Sequence, residues 1–343
     1  MEARAVRDFD RADDLKRRIE AAGWRVVDHG KRSSVHPAAP GSVDVAGERR
    51  YGSTTDVPSA WDGPAASPFT IVVVASEEPA RVSRLLGALR AHAAAGTQVV
   101  IVENDPSDAQ LAALAAGAAD RAPIGGVEPE VLRTSVRLAH AAALNIGLRR
   151  AAGEIVVLAD GSAVPTGDAL SPLAEALRDP DVALSGGFGL LADEGMPFRP
   201  NAVERATPEP NADLEVAALE AAWLGFRRAD LIEFALVDER FVTPAWLDVW
   251  LSLRLRVGPV ELPGGERDGV EGDEAETEPE SDGPAGTDGQ AFELPELPAP
   301  KRALMIDLPL ERDETRWPPD RTRLNRRNMY RVLDTFGWRD DLA

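Results

Sequence analysis

The stretch Glu154–Pro165, EIVVLADGSAVP, constrains the fold of this chain more than any other feature. Its apolar run ends at Asp160, and Gly161 and Ser162 then lead to Pro165. This pattern is typical of a buried strand that carries an acidic residue to the edge of a parallel sheet. Because ligands of open α/β sheets bind at the carboxyl ends of the strands, we expect Asp160 to lie in a binding site.

Apolar runs of the same kind recur along the chain and alternate with amphipathic segments. The predicted strands are TIVVVA (70–75), QVVIVE (98–103), EIVVLA (154–159) and DVALSGGFG (181–189). Segments whose apolar residues fall at helical spacing begin near Pro79, Leu138 and Leu170. This alternation predicts the α/β class, with a mainly parallel sheet flanked by helices.

Composition divides the chain into five segments. Residues 1–36 predict a small appendage, a helix followed by a short strand, and residues 37–68 predict a linker rich in Pro, Gly and Ser. Residues 69–263 hold the α/β pattern. Residues 264–300 are an acidic low-complexity insertion that we expect to be disordered, because its apolar surface is too small to offset the entropy of ordering. Residues 301–343 predict a strand and an Arg-rich helix that complete the domain.

Composition also excludes several classes of protein and site. The chain has no cysteine, which excludes disulfides, thiolate nucleophiles and Cys-ligated zinc. It has no run of 18 apolar residues, so we expect no membrane span, and its charged N-terminus lacks the apolar core of a signal peptide. A cytoplasmic location is therefore the default expectation. The formal net charge of -20 argues against nucleic acid as a partner.

Five blocks resemble, in order, those of the family 2 glycosyltransferases. They are VVVASEEP with RVSRLLGAL, VIVENDPSD, LAHAAALNIGLRRAAGEIVVLADGSAVP, AAWLGFRRADL with VDERF, and WLDVWLSLRLRVG. The similarity covers about residues 69–258. It implies the GT-A fold, and a protein that transfers a sugar, with inversion, from a nucleotide-sugar donor to an unknown acceptor.

The resemblance places the donor nucleotide at the ends of the first two strands of the domain. Ala75, Ser76 and Glu77 stand where the family forms its nucleotide pocket. Glu103 stands where relatives carry an Asp, and a carboxylate there accepts hydrogen bonds from a hydroxyl or a base N–H. The alternative is that Glu103 only begins the turn that follows its strand.

The resemblance also implies a contact with the donor at Asp160 and Ser162. Relatives hold Mn²⁺ or Mg²⁺ here with an Asp-x-Asp motif, and Ser162 replaces the second acid. A hydroxyl is a weaker ligand than a carboxylate, so a metal at Asp160 is expected to bind less tightly. Three alternatives follow: transfer without metal, a metal held by other groups, or lost catalysis.

Asp248 is the candidate general base that the resemblance implies. In relatives an acidic pair lies near the acceptor, and here Leu247 replaces the first acid and Trp250 a later one. The alternative is an ordinary helical Asp. Trp246 and Trp250 lie one helical turn apart, and a packed core pair is favoured over a sugar-stacking platform.

Three other features of the sequence bear on the site. His140 is a candidate catalytic group, and Asn145 is expected to have a local structural role. A set of arginines on the C-terminal helix either neutralises a diphosphate or forms a solvated face. These arginines are Arg321, Arg323, Arg326, Arg327 and Arg331.

The N-terminal segment RDFDRADDLKRRIEAAGWRVVDHG resembles the C-terminal tail of cysteinyl-tRNA synthetases. The catalytic signatures of those enzymes do not occur in the chain, so the segment does not imply aminoacylation. Two alternatives to sugar transfer follow from the whole sequence. One is a catalytically silent GT-A scaffold, and the other is a module that docks on tRNA or on a synthetase.

Overall fold

The structure is a computed structural model, and it describes most of the chain. The described ranges are 41–75, 79–104, 122–192, 203–206, 212–234, 236–258, 299–313 and 322–337, with two N-terminal strands and a few single positions. The chain divides into two compact units. The first unit comprises Met1–Pro37 and Leu262–Ala299, and the second comprises Ala38–Glu261 and Pro300–Ala343.

An antiparallel hairpin is the largest described part of the first unit. β1 (Trp24–His29) pairs with β2 (Arg32–Pro37), and Trp24 lies opposite Pro37. The sequence predicts β1 as WRVVD. It does not predict β2, because RSSVHP has no apolar run and depends on β1 for its backbone partners. Most of the predicted N-terminal helix, and all but the last two residues of the acidic insertion, lie outside the described residues.

The second unit is an α/β fold. Its strands are β3 (Val43–Val45), β4 (Glu48–Tyr51), β5 (Ser67–Ala75), β6 (Gln98–Glu103), β7 (Glu130–Thr134), β8 (Gly153–Leu158), β9 (Ala163–Pro165), β10 (Val182–Gly186), β11 (Gly189–Ala192), β12 (Val203–Arg205), β13 (Leu214–Val216), β14 (Ala218–Leu219), β15 (Leu224–Arg227), β16 (Arg302–Met305) and β17 (Leu310–Arg312). Its helices are α1 (Pro79–His92), α2 (His140–Arg149), α3 (Ser171–Ala176), α4 (Arg228–Phe234), α5 (Leu247–Val257) and α6 (Arg323–Phe336).

Ten of these strands form one sheet in the order β13-β16-β10-β15-β8-β5-β6-β7-β4-β3. Strands β8, β5, β6, β7 and β4 are mutually parallel, and so are β10 and β16. β15 runs antiparallel between β8 and β10. The predicted mainly parallel sheet is therefore confirmed.

The two faces of the central strands pack against different layers. On one face, Ile71 and Val73 of β5 join Leu85 and Leu89 of α1 in one core cluster. On the other face, the smaller cluster contains Val100, Val102, Ala143 and Ile146, so α2 covers that side. Successive side chains of a strand point to opposite faces, which is why a continuous apolar run feeds both layers.

The structure differs from the linker expected over residues 37–68. β3 and β4 extend the sheet beyond β7, and Val57, only 1% exposed, packs in the smaller core cluster. The indole of Trp61 donates to the carbonyl of Leu148 at 2.9 Å, and Arg149 donates to the carbonyl of Val57. Short polar strands carry little local signal, since their pairing depends on an edge strand that comes much later in the chain.

The C-terminal tail belongs to the second unit. In place of the single strand predicted within residues 301–343, ALMIDLPL (303–310), there are two short strands, β16 in the main sheet and β17 paired with β9. Helix α6 begins after Thr322, whose side chain accepts a hydrogen bond from the backbone N–H of Asn325. Among the described helices, none is both long and apolar enough to cross a membrane.

Candidate functional site

A cavity of about 220 Å³ opens at the carboxyl ends of β5 and β8. Its walls carry three acidic residues and two basic ones, besides apolar side chains. These polar residues are Asp160, Glu220, Asp248, Arg81 and His140. The cavity lies where the α/β fold places its ligands, and it brings together Asp160 and Asp248, which are distant in sequence.

The turn after β8 holds Asp160 in a defined orientation. The backbone N–H and the hydroxyl of Ser162 both donate to Oδ1 of Asp160, at 2.7 and 2.6 Å. Gly161 has a φ of +80°, and a Cβ there would lie 3.3 Å from the backbone of Arg81. Ser162 is 1% exposed whereas Asp160 is exposed, so Ser162 orients a carboxylate that stays available to a ligand.

These residues do not fit a metal held by protein side chains. The hydroxyl of Ser162 donates to Asp160, which makes it a holder of the carboxylate and not a second ligand. Across the described ranges, no group of three or more His, Asp or Glu side chains is placed to hold a metal ion. Mn²⁺ and Mg²⁺ need several oxygen ligands, and the turn after β8 supplies one carboxylate, that of Asp160.

Asp248 lies in the first turn of α5 with its carboxyl at the cavity. Its Oδ1 accepts from the N–H of Val249 at 2.9 Å, and its Oδ2 accepts from the N–H of Ala221 at 3.4 Å. Burial raises the pKa of Asp248 to about 7, and the neighbouring charge of Glu220 contributes to the increase. Near neutral pH this carboxyl can therefore both accept and return a proton.

Glu220 was not predicted from the sequence. It is 6% exposed and receives both terminal guanidinium nitrogens of Arg312, at 3.0 and 2.6 Å. Arg312 also lies over the ring of Phe188, 4.2 Å from its centre. The one sequence signal for Glu220 is its place as an acid inside the apolar run VAALEAAWLGF. Such a run is expected to be buried, and a buried acid usually has a partner. Nothing local identifies that partner.

Glu103 is not part of the cavity wall. It is 4% exposed, and its Oε2 accepts from Nε of Arg133 at 2.5 Å. Arg133 also bonds Glu48 on β4. Ala75 pairs with Glu103 across the two strands, while Ser76 and Glu77 lie outside the described residues. The nucleotide pocket therefore stays a prediction.

Asn104 and Asn145 each bind the backbone of a segment that is distant in sequence. The side-chain amide of Asn104 exchanges two hydrogen bonds with the backbone of Leu138, at 3.0 and 2.9 Å. That of Asn145 does the same with Val237, at 2.8 and 2.9 Å. The structural role expected for Asn145 agrees with these contacts. Both side chains hold backbone in place, and neither lines the cavity.

The two tryptophans of α5 belong to the core. Trp250 packs against Phe241 and Phe336, with ring centres 6.0 and 6.2 Å apart. Trp246 is 3% exposed and has a φ of 67°, a left-handed conformation that is uncommon for a residue with a side chain. The packed interpretation therefore agrees with the structure better than a sugar platform does.

The arginines of α6 do not line the cavity. Arg323, Arg326 and Arg327 are exposed on the helix, and Arg321 lies outside the described residues. The arginine that does line the cavity is Arg81 of α1, which sequence reasoning did not single out. The arginine at the cavity thus comes from α1 and not from α6.

Comparisons with known proteins bear on the fold. Residues 70–211, less than half of the chain, match the family model of glycosyl transferase family 2. The crystal structure of GalNAc-T7 with UDP, GalNAc and Mn2+ superposes with a TM-score of 0.53 at 11% identity. The match covers 78% of this chain and 48% of that one. This chain has the GT-A fold.

Two further solved structures resemble the chain less closely. Mannosyltransferase PcManGT from Pyrobaculum calidifontis, in complex with GDP-Man and Mn2+, has a TM-score of 0.39 and 19% identity over 59% of this chain and 55% of that one. S. aureus TarS 1-349 in complex with UDP has a TM-score of 0.40 and 14% identity over 55% and 54%. This GT-A chain thus spans about half the length of these matched structures. No curated protein matches it significantly in sequence.

Proposed function

We propose that this protein transfers a glycosyl group, with inversion, from a nucleotide-sugar donor to the hydroxyl of an acceptor, and that Asp248 is the general base. The observation that carries the proposal is the cavity at the sheet edge, which holds Asp160 and Asp248 together. The family match over residues 70–211 and the GT-A fold support the same class of reaction.

Asp248 suits the proton transfer that this reaction needs. The acceptor oxygen bonds to the anomeric carbon as the bond from that carbon to the diphosphate breaks, and the hydroxyl proton passes to Asp248. A base on the face opposite the leaving group gives inversion. A pKa of about 7 makes this carboxyl a stronger base than an ordinary Asp while it remains partly ionised near neutral pH.

The donor is assigned to the turn after β8 and to the ends of β5 and β6. Asp160 is available to accept hydrogen bonds from sugar or ribose hydroxyls, since Ser162 occupies only its Oδ1. Ala75, Ser76, Glu77 and Glu103 remain the proposed nucleotide pocket. A carboxylate has about four acceptor sites, so Glu103 keeps acceptor capacity beside its bond to Arg133.

No step of this reaction is assigned to a metal. GalNAc-T7 and PcManGT contain Mn2+ in the structures named above, and Mn²⁺ or Mg²⁺ therefore remains a proposal here. The described side chains supply no ligand set for such an ion. A cytoplasmic location likewise remains a proposal from the sequence.

A donor screen tests the function. The full chain is incubated with a panel of nucleotide sugars, with and without Mn²⁺, and both melting temperature and nucleotide diphosphate release are measured. A donor that binds the native state raises the melting temperature. Asp248→Asn is expected to keep the shift and lose the release, whereas Asp160→Ala is expected to lose the shift. Release that is unchanged in Asp248→Asn would remove Asp248 from the reaction.

The second candidate is a catalytically silent scaffold with the same fold. The observation that favours it is Ser162, which is buried against Asp160 where a second acid would serve a metal. The same screen separates the two functions. Binding of a donor without release of diphosphate, in the presence of varied acceptors and metals, supports the scaffold.

A further inference from the structure

Two arginines of α1 converge on one carboxylate beside the cavity. Nη1 of Arg84 lies 2.7 Å from Oδ1 of Asp313, and Nε of Arg81 lies 3.5 Å from its Oδ2. Arg81 also lines the cavity. All three side chains are about one-third exposed, so solvent and small ligands reach this cluster.

The cluster is attached to the turn that holds Asp160. The N–H of Asp313 donates to the carbonyl of Ser162 at 2.8 Å, and Nη2 of Arg84 lies 3.5 Å from the carbonyl of Gly161. The backbone of Arg81 packs against Gly161. The arginines therefore lie next to the place assigned above to the donor.

Carboxylates and phosphates are recognised by arginine in the same way. Both present oxygen acceptors in a geometry that fits the guanidinium fork. A diphosphate carries more negative charge than one carboxylate and offers more acceptors, so it binds the same two arginines more strongly. Asp313 thus has the character of an internal stand-in for a phosphate group.

We propose that Arg81 and Arg84 form the site for the diphosphate of the donor, and that Asp313 occupies these arginines until the donor displaces it. The inference rests on the proposed function and deepens it. The two arginines then supply the positive charge that stabilises the departing diphosphate. They lie beside the turn after β8, which provides a single acid where relatives place two. The exposed arginines of α6 are not needed for this.

Calorimetric binding of inorganic pyrophosphate and of UDP to the full chain tests the proposal. Arg81→Gln and Arg84→Gln are each expected to weaken pyrophosphate binding about tenfold, the loss of one charge-assisted hydrogen bond. Asp313→Asn removes the competing charge and is expected to tighten binding about fivefold, since an exposed ion pair contributes weakly. Arg90→Gln, on the same helix but outside the cluster, is the matched control and should bind as the wild type does.

The outcomes are distinct for this site and for the overall function. The proposal is overturned if folded Asp313→Asn binds pyrophosphate no more tightly than the wild type, or if Arg81→Gln and Arg84→Gln behave like Arg90→Gln. A purely structural Asp313 would give a lower melting temperature together with weaker binding. If the pyrophosphate results hold but no nucleotide sugar is turned over, the anion site stands and the transferase function fails.

Discussion

Replacing Asp248 by Asn should make this protein more stable at alkaline pH even though it removes the proposed base. The pKa of Asp248 is about 7 in the folded protein, chiefly because of burial, and about 3.9 in an unfolded chain. Between these two values the native state holds a proton that the unfolded chain has released. The wild-type protein therefore loses stability as the pH rises from about 4 to about 7.

The expected size follows from the difference in pKa. About three pKa units at about 1.4 kcal/mol each give about 4 kcal/mol. Asp248 is only partly buried, so solvent makes this figure an upper bound. Asn cannot ionise, so the variant does not lose this stability. Relative to the wild type, Asp248→Asn should gain about 3 kcal/mol between about pH 4 and about pH 8.

Urea unfolding followed by tryptophan fluorescence at several pH values measures the effect. Asp168→Asn is a control in which the effect of pH on stability should have the opposite sign, because hydrogen bonds from Ser171 lower the pKa of Asp168. That variant should lose stability at neutral pH and approach the wild type as the pH falls. Parallel stability curves for Asp248→Asn and the wild type over this pH range would refute the raised pKa.

Three further changes test the site and its supports. Glu220→Gln removes a charge that raises the pKa of Asp248, so the rise of activity with pH should move to lower pH. An unchanged pH dependence of activity would show that the charge of Glu220 does not act on Asp248. Gly161→Ala forces a left-handed residue against the backbone of Arg81 and should cost about 1–3 kcal/mol in thermal unfolding, with weaker donor binding. Asn145→Ala leaves buried backbone groups without partners and should cost about 2–3 kcal/mol, an effect that urea unfolding at constant pH would detect or exclude.

Several features of the fold and the site could be predicted from the sequence. The apolar runs of β5, β6 and β8 are local signals, because strand length, turn chemistry and periodicity are written within a few residues. Their order, with the resemblance to the glycosyltransferase blocks, predicted the GT-A fold. It also singled out Asp160 and Asp248, both of which line the cavity.

The structure differs from an expectation where the local sequence of a segment does not determine its structure. Residues 41–51 looked like part of a linker and form β3 and β4, since a short polar strand needs a neighbour before its backbone groups are satisfied. Glu103 lies buried beside Arg133, and its contact with a nucleotide stays a prediction. The nucleotide pocket and the synthetase-like N-terminal segment remain predictions.

The sequence by itself determined the class of fold, the strand that carries Asp160 and the helix that carries Asp248. Only the tertiary structure decided which charges meet. Arg312 and Glu220 are separated by 92 residues, and Arg84 and Asp313 by 229. Whether a carboxylate becomes a base, a counter-ion or a ligand depends on its burial and on the charges within a few ångströms, and these are set by chain segments that meet only after folding.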